Sequence, residues 1–236
     1  MKRIINADDF GYSHDVNKAI VDCFKQGIIS STTIMMNMPE AEEAVKLAFE
    51  NGFQDSVGLH FNMIEGVPLS DRIKRCHRIC TNGYFSYKRN SVKRWTAFEK
   101  QSIVEEFEAQ LNALVDKGIT PSHIDSHQHP HTEPAIFAII FPIMRKAGVV
   151  KMRASRNLGI SRLHIILKSF LNTYFRMKGV KMTRYFNDVV QKDINDKVDN
   201  IEIMCHPTYR NGVIVDAFRS IELKKDYNEL INYRQL

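Results

Sequence analysis

At 236 residues, 44% hydrophobic and 25% charged, the chain can bury one sizeable core and lacks the composition of a disordered segment. Its net charge of +6 comes mainly from Arg72 to Arg94 and Lys146 to Arg184. Neither stretch has the basic-and-aromatic pattern of an RNA-binding sheet or a helix-turn-helix, so no nucleic-acid partner is expected. No apolar run reaches the length of a membrane span, and Met1-Lys-Arg-Ile-Ile leads directly into a strand, so neither a membrane segment nor a signal peptide is expected. Cys23, Cys76, Cys80 and Cys205 follow no secreted-domain spacing, and Cys76-His77-Arg78-Ile79-Cys80 lacks the second pair that a zinc clip needs. Free thiols and a cytoplasmic location are the expectation.

In chain order, Lys2-Arg-Ile-Ile predicts a strand that runs into Asn6-Ala-Asp8-Asp9-Phe-Gly11. Ser13 is the candidate N-cap of a helix from about Asp15 to Gln26, with Val16, Ala19, Ile20, Cys23 and Phe24 at helical spacing and Gly27 as its stop. Ile28 to Met36 reads as a strand apolar on both faces, as in a parallel sheet. Pro39 opens a second helix with Ala41, Ala44, Val45, Ala48 and Phe49 inward, and Ser56 to Asn62 is a third strand that carries His60 near its end. This alternation argues for parallel βα units. Residues 66–95 break it and read as a lid or a binding insertion, whose Tyr84, Phe85, Tyr87 and Trp95 could face a sugar ring or anchor the loop. A strong amphipathic helix over 96–117 follows, with Ile103, Phe107, Leu111 and Leu114 inward. Further on come a helix from Glu133 to Ala147, a short strand from Val149 to Arg153, a helix from Leu163 to Met177 and a strand from Ile201 to Cys205. Residues 180–200 carry no clear periodicity.

Four of the nine histidines, His123, His127, His129 and His131, lie within nine positions of one another, with Asp125 among them. They fall on a short strand and the loop that leaves it, and Pro130 ends any ladder there. Neutral imidazole is a good ligand for zinc and similar ions, so the cluster is a natural metal site. Asp8, Asp9, His60, Asp125, His127, Arg153 and His206 also sit at the carboxyl ends of five different strands, where parallel βα folds gather their chemistry. One carboxylate and two imidazoles would hold an ion and leave positions open for water and substrate. A second carboxylate would then serve as base. His206, between an apolar strand and Pro207, is a candidate catalyst, whereas His14, His77 and His164 read as structural or surface residues.

The segments Asn6-Ala-Asp-Asp-Phe-Gly11, Gly58-Leu-His-Phe61, His123-Ile-Asp-Ser-His-Gln-His-Pro-His131 and Met204-Cys-His-Pro207 together resemble the YdjC-like carbohydrate deacetylases, a family that includes chitooligosaccharide deacetylases. The resemblance covers nearly the whole chain. It implies a single domain over 1–236 with a distorted (β/α) barrel related to polysaccharide deacetylases. It further implies Asp9, His60 and His127 as ligands of one divalent metal ion, magnesium or zinc foremost, with Asp8 as general base and His206 as general acid. Arg153 would tune or orient Asp8, and His129, His131 and Trp95 are candidate substrate contacts. The implied reaction is metal-assisted hydrolysis of the acetamide of a small N-acetylated carbohydrate, in a protein with neither nucleic-acid nor membrane partners and compatible with a homodimer. Two other readings remain open, a hydrolase of another bond such as a phosphoester and a non-catalytic sugar-binding protein. The sequence departs from the family after Arg219, where there is little room for a last helix.

Overall fold

The computed structural model describes residues 3–92, 94–189 and 199–223. Its first half alternates β1 (Arg3–Phe10), α1 (His14–Lys25), β2 (Ser31–Ile34), α2 (Ala41–Glu50) and β3 (Val57–Phe61). A small hairpin of β4 (Cys80–Thr81) and β5 (Tyr84–Phe85) precedes α3 (Ala97–Asp116), β6 (Ile124–Ser126), α4 (Pro134–Lys146) and α5 (Arg162–Met177). The chain then forms β7 (Tyr185–Asp188), β8 (Ile201–Cys205) and a second hairpin of β9 (Pro207–Arg210) and β10 (Val213–Asp216). Six strands pair in parallel in the order β6-β3-β2-β1-β8-β7, a curled sheet with β1 near its centre and helices outside it. The parallel βα units are those that the strand–helix alternation predicts, and the curled sheet is the barrel-like form that the resemblance implies.

Two predicted strands are shorter than expected, for the same physical reason. After α1, Gly27 turns left-handed (φ 67) and the Ile28 N–H bonds back to Cys23 O at 2.9 Å. After α4, Gly148 (φ 76) lets the Val149 N–H reach Met144 O at 2.9 Å. Each first strand residue is thus used to satisfy helix-end carbonyls. The expected strand from Val149 to Arg153 survives only as single bridges, Ile124 to Met152 on one side and Lys151 to Lys181 on the other. These bridges carry the curl past β6, and the chain from Lys181 leads on into β7.

Residues 66–95 pack down onto α3. Ile73, Cys76, Ile79, Phe85, Tyr87 and Trp95 are buried, whereas Tyr84 is exposed. The buried Glu106 carboxylate accepts the Leu69 and Ser70 N–H groups at 3.0 and 2.7 Å, and Arg72 reaches Glu105 at 2.8 Å. Nearby, Arg78 donates to Glu99, which also closes a capping box with Thr96 at the start of α3. Of residues 180–200, which carried no assignment, β7 forms part. Positions 190–198 lie outside the described residues, as do 224–236, where most of the C-terminal departure falls. All four cysteines are buried, and no described helix is long and apolar enough to cross a membrane.

The Thr96 hydroxyl accepts the Glu99 N–H at 3.2 Å, and Glu99 Oε2 accepts the Thr96 N–H at 2.8 Å. Thr96→Ala is expected to lower unfolding free energy by about 1 kcal/mol in urea denaturation. Glu99→Ala should cost more, because it also frees Arg78 and loosens the insertion. Equal, negligible effects would mean that the cap does not hold this helix.

Candidate active site

The site begins with an irregularity in β1. Pairing with β2 shifts register between Ala7 and Phe10, and Asp9 adopts a left-handed φ of 68. Adjacent residues of a regular strand point to opposite faces, and the bulge re-aims Asp9 within that pattern. The two neighbouring carboxylates consequently meet different partners. Asp9 turns towards His60 and His127, and Asp8 turns towards Arg153. Gln128 (φ 55) and His129 (φ 66) are left-handed as well. Three non-glycine residues in this sparsely populated region within one site mark strain held by the surrounding structure.

Asp9 Oδ1 lies 2.8 Å from His127 Nδ1 and 3.2 Å from His60 Nε2. His60, brought by β3, has its other ring nitrogen 2.6 Å from Asp125 Oδ1 on the paired strand β6. His127 Nε2 lies 2.8 Å from Glu65 Oε1. Each imidazole therefore has a carboxylate behind it, the arrangement that fixes the tautomer of a metal-binding histidine. Burial pushes the His60 imidazole down, but Asp125 and Asp9 outweigh it and raise its pKa to about 10. His127 is likewise held down by burial and lifted, chiefly by Asp9 and Glu65, to about 9. Both rings are thus drawn towards positive charge, which a bound cation would supply in place of their protons.

One oxygen and two ring nitrogens converging within 4.8 Å of one another fit a divalent ion. A second trio, Asp8, His60 and Asp125, is equally close. Arg153 makes it a poor cation site. Its Nη1 and Nη2 lie 2.5 and 2.6 Å from the two Asp8 oxygens, Nη2 is 2.8 Å from Asp125 Oδ2, and Nε is 2.5 Å from Glu202 Oε1. A metal there would have to displace a guanidinium. Burial pushes the Asp8 carboxyl up, but Arg153 more than offsets it, and Asp125 falls to about 2 by the same competition.

His206 follows β8. Its N–H donates to Asp216 Oδ2 at 2.8 Å, its Nε2 lies 4.0 Å from Asp8 Oδ2, and the Phe218 ring meets it edge-on at 4.5 Å. Burial would neutralise this imidazole, but Asp216 and Asp8 raise its pKa. Asp8, Asp9, Tyr12, Glu65, His127 and His206 line one cavity of about 380 Å³. A larger hollow of about 660 Å³ opens at the strand starts, around Ser30, Ser56 and Lys181, and none of the three converging donors lines it.

All six residues expected in catalysis and metal binding meet at or beside this cavity. The expected substrate contacts lie apart from its lining. Trp95 packs against Tyr87 with Arg78 over its ring, His131 Nδ1 is 2.5 Å from Ser126 Oγ, and His129 meets Phe186 edge-on. Sequence reasoning missed Glu65, Glu202 and Asp216. Glu202 was readable in principle, as a lone charge inside an apolar strand. Glu65 and Asp216 lie at a loop and a hairpin end, where carboxylates are ordinary.

The fold and the site define a curled parallel α/β enzyme scaffold with a one-carboxylate, two-histidine donor set at its strand ends. The YdjC-like protein family matches residues 2–234, and the chain belongs to that family. It is 32% identical over 219 residues to a carbohydrate deacetylase of Clostridium beijerinckii, covering 92% of this chain and 85% of that one. With the carbohydrate deacetylases of Vibrio parahaemolyticus and Geobacillus stearothermophilus it shares 31% and 32% identity, over 91% and 87% of this chain and 81% and 79% of theirs. A crystal structure of a protein described as a putative cellobiose-phosphate cleavage protein from Enterococcus faecalis has the same fold. Its TM-score is 0.70 at 23% identity, covering 89% of this chain and 82% of that one.

Arg153 is fully buried among three carboxylates. Arg153→Met should cost about 3–5 kcal/mol in chemical denaturation, because it leaves buried charge without a partner. Arg153→Lys keeps the charge but loses the fork, and should fall between the two. A wild-type midpoint for Arg153→Met would remove this cluster from the stability of the fold.

Proposed function

We propose that this protein is a carbohydrate deacetylase that hydrolyses the acetamide of a small N-acetylated sugar or oligosaccharide with one divalent ion, magnesium or zinc. The observation that carries the reading is the convergence of Asp9, His60 and His127 beside a cavity lined by Asp8, Asp9, His127 and His206. The names of the relatives supply the bond and the substrate class. When bound, the ion would polarise the acetamide carbonyl and lower the pKa of the attacking water.

Asp9, His60 and His127 hold the ion in this reading, and Asp125 and Glu65 fix the tautomers of the two imidazoles. Asp8 takes the proton of the attacking water. Its Oδ2 has lone-pair capacity beyond its bond to Arg153 and faces His206. Arg153 keeps Asp8 ionised, which leaves the proton site empty but makes the carboxylate a weak base; proximity and orientation supply the rest. His206, whose raised pKa favours the imidazolium, gives its Nε2 proton to the departing amine. Tyr12, Glu65, Gln128 and Phe218 line the cavity and are the side chains placed to meet the sugar. His129 adjoins Gln128 of this wall in sequence, whereas Trp95 packs within the insertion. The insertion 66–95 acts as a fixed part of the single domain, since its Phe85, Tyr87 and Trp95 are spent on packing. The buried free thiols Cys23, Cys76 and Cys80 suit a reducing, cytoplasmic location.

The adjacent carboxylates separate experimentally. Asp8→Asn should retain metal by elemental analysis while losing on the order of a hundredfold or more in acetate release from N-acetylglucosamine oligomers. Asp9→Asn should lose metal affinity and recover activity in excess metal. Rescue of Asp8→Asn by added metal would exchange the two roles. Phosphate release from sugar phosphates without acetate release from any oligomer would overturn the deacetylase reading.

Glu65 gives a second test. Glu65→Ala should weaken metal binding about 10–100-fold in titration calorimetry, because His127 loses the carboxylate that orients it. Glu65 is partly exposed, so the metal-free melting temperature should stay close to wild type. Unchanged metal affinity would show that His127 needs no such support.

A further inference from the structure

The hollow at the strand starts, about 660 Å³, is larger than the cavity at the strand ends, about 380 Å³, and has the size of a small-molecule site. Its floor carries Glu202, only 5% exposed, with Ser31, Thr183 and the His123 ring. Gly58 makes room for that ring, since a Cβ there would meet His123 Nδ1 at 2.7 Å. Burial holds the imidazole neutral, with its pKa down at about 4, and Nδ1 lies 2.9 Å from Ser122 Oγ. Ile4, Met152 and Met182 supply the apolar part of the wall. The rim is exposed and mixed in charge: Lys151 and Lys181 are bridged neighbours, and Asp55 and Asp199 complete it. Water and salt screen those rim charges, so the buried floor decides what binds.

Glu202 is the carboxylate that the central guanidinium serves least. Arg153 gives Asp8 two bonds but Glu202 only one, from Nε to Oε1, and among the described residues nothing donates to Oε2. Burial pushes Asp8, Asp125 and Glu202 up alike. Arg153 more than offsets this for Asp8 and Asp125, whereas the Glu202 pKa stays raised. A buried carboxylate short of compensation calls for a cationic donor. We propose that the hollow is a second ligand site, which takes a small hydroxylated primary amine with its ammonium against Glu202. The ligand's hydroxyls would accept from Lys151 and Lys181 and donate to Asp55, with its C–H face on Ile4 and Met152. A deacetylated amino sugar belongs to this class. Its identification as the reaction's own product rests on the deacetylase reading, whereas the site does not.

The same residue links the two ends of the sheet. Glu202 lines the hollow, Asp8 lines the cavity, and Arg153 bonds to both. An ammonium at Oε2 draws the charge of Glu202 away from Arg153 and lets the guanidinium settle on Asp8, which becomes a weaker base. Occupancy of the hollow therefore lowers turnover without competing for substrate, as a coupling between two sites.

Titration calorimetry of the metal-loaded full chain with glucosamine tests the site. Glucose, which keeps the hydroxyls but carries no ammonium, should bind there at least about tenfold more weakly. Glu202→Gln should weaken the glucosamine event by a similar factor, and Ser56→Trp, which fills the hollow from its wall, should remove it. In acetate-release assays, saturating glucosamine should lower kcat at this site with KM unchanged, and Ser56→Trp should lose that effect while keeping its basal rate. An isotherm unchanged by both substitutions, equal affinity for glucose, displacement by inorganic phosphate, or no binding at about 10 mM glucosamine would each overturn the site. Binding at the hollow with unchanged kcat would overturn the link through Arg153. If no acetate is released from any oligomer, the deacetylase reading fails and the calorimetric result on the hollow still stands.

Discussion

The interior of this barrel depends on a single guanidinium. Asp8, Asp125 and Glu202 are all buried, and any one of them alone would either take up a proton or resist burial. Arg153 faces all three with a planar fork that a lysine could not reproduce. Because it holds Asp8 and Asp125 together, it also fixes His60 through Asp125, and His60 in turn faces Asp9. The position of the candidate metal ligands is thus inherited from an ion cluster one layer deeper in the sheet. Such a cluster gives little net stability compared with apolar packing. Its effect is to fix which side of each carboxylate remains available.

The architecture was legible because periodicity and punctuation agreed. Val16, Ala19, Ile20 and Cys23 recur at helical spacing and do form the inner face of α1, and Gly27 ends that helix as its position suggests. Residues with chemistry at successive strand ends pointed to the correct end of the sheet. The extent of the strands was not legible. The bonds that satisfy a helix end reach into the following strand, and no propensity records that loss at Ile28 or Val149.

Within the site, the residue types were readable and the partners were not. Asp8 and Asp9 look identical in sequence, and a one-residue shift against β2 sends them to different partners. That shift depends on Asp9 adopting a left-handed conformation, which Asp tolerates better than most residues. Trp95 and Tyr87 show the converse. Aromatic residues in an insertion left a sugar platform and an anchor equally open, and Glu106 and Glu99 draw the segment onto α3, where Tyr87 and Trp95 are buried.

The single bridges Ile124–Met152 and Lys151–Lys181 have a mechanical consequence. Elsewhere the sheet is laced by runs of paired residues, so separating two strands there means breaking many bonds together. Along this seam only a few backbone bonds join neighbours, and opening costs least where fewest must break. Arg153 stands directly beside the seam, since its own N–H bonds to Ile124 O at 3.1 Å. The wall's line of fracture therefore runs past the charged centre. The first water to enter a loosening molecule would reach the ions before the apolar core, so electrostatic weakening and mechanical opening would reinforce each other.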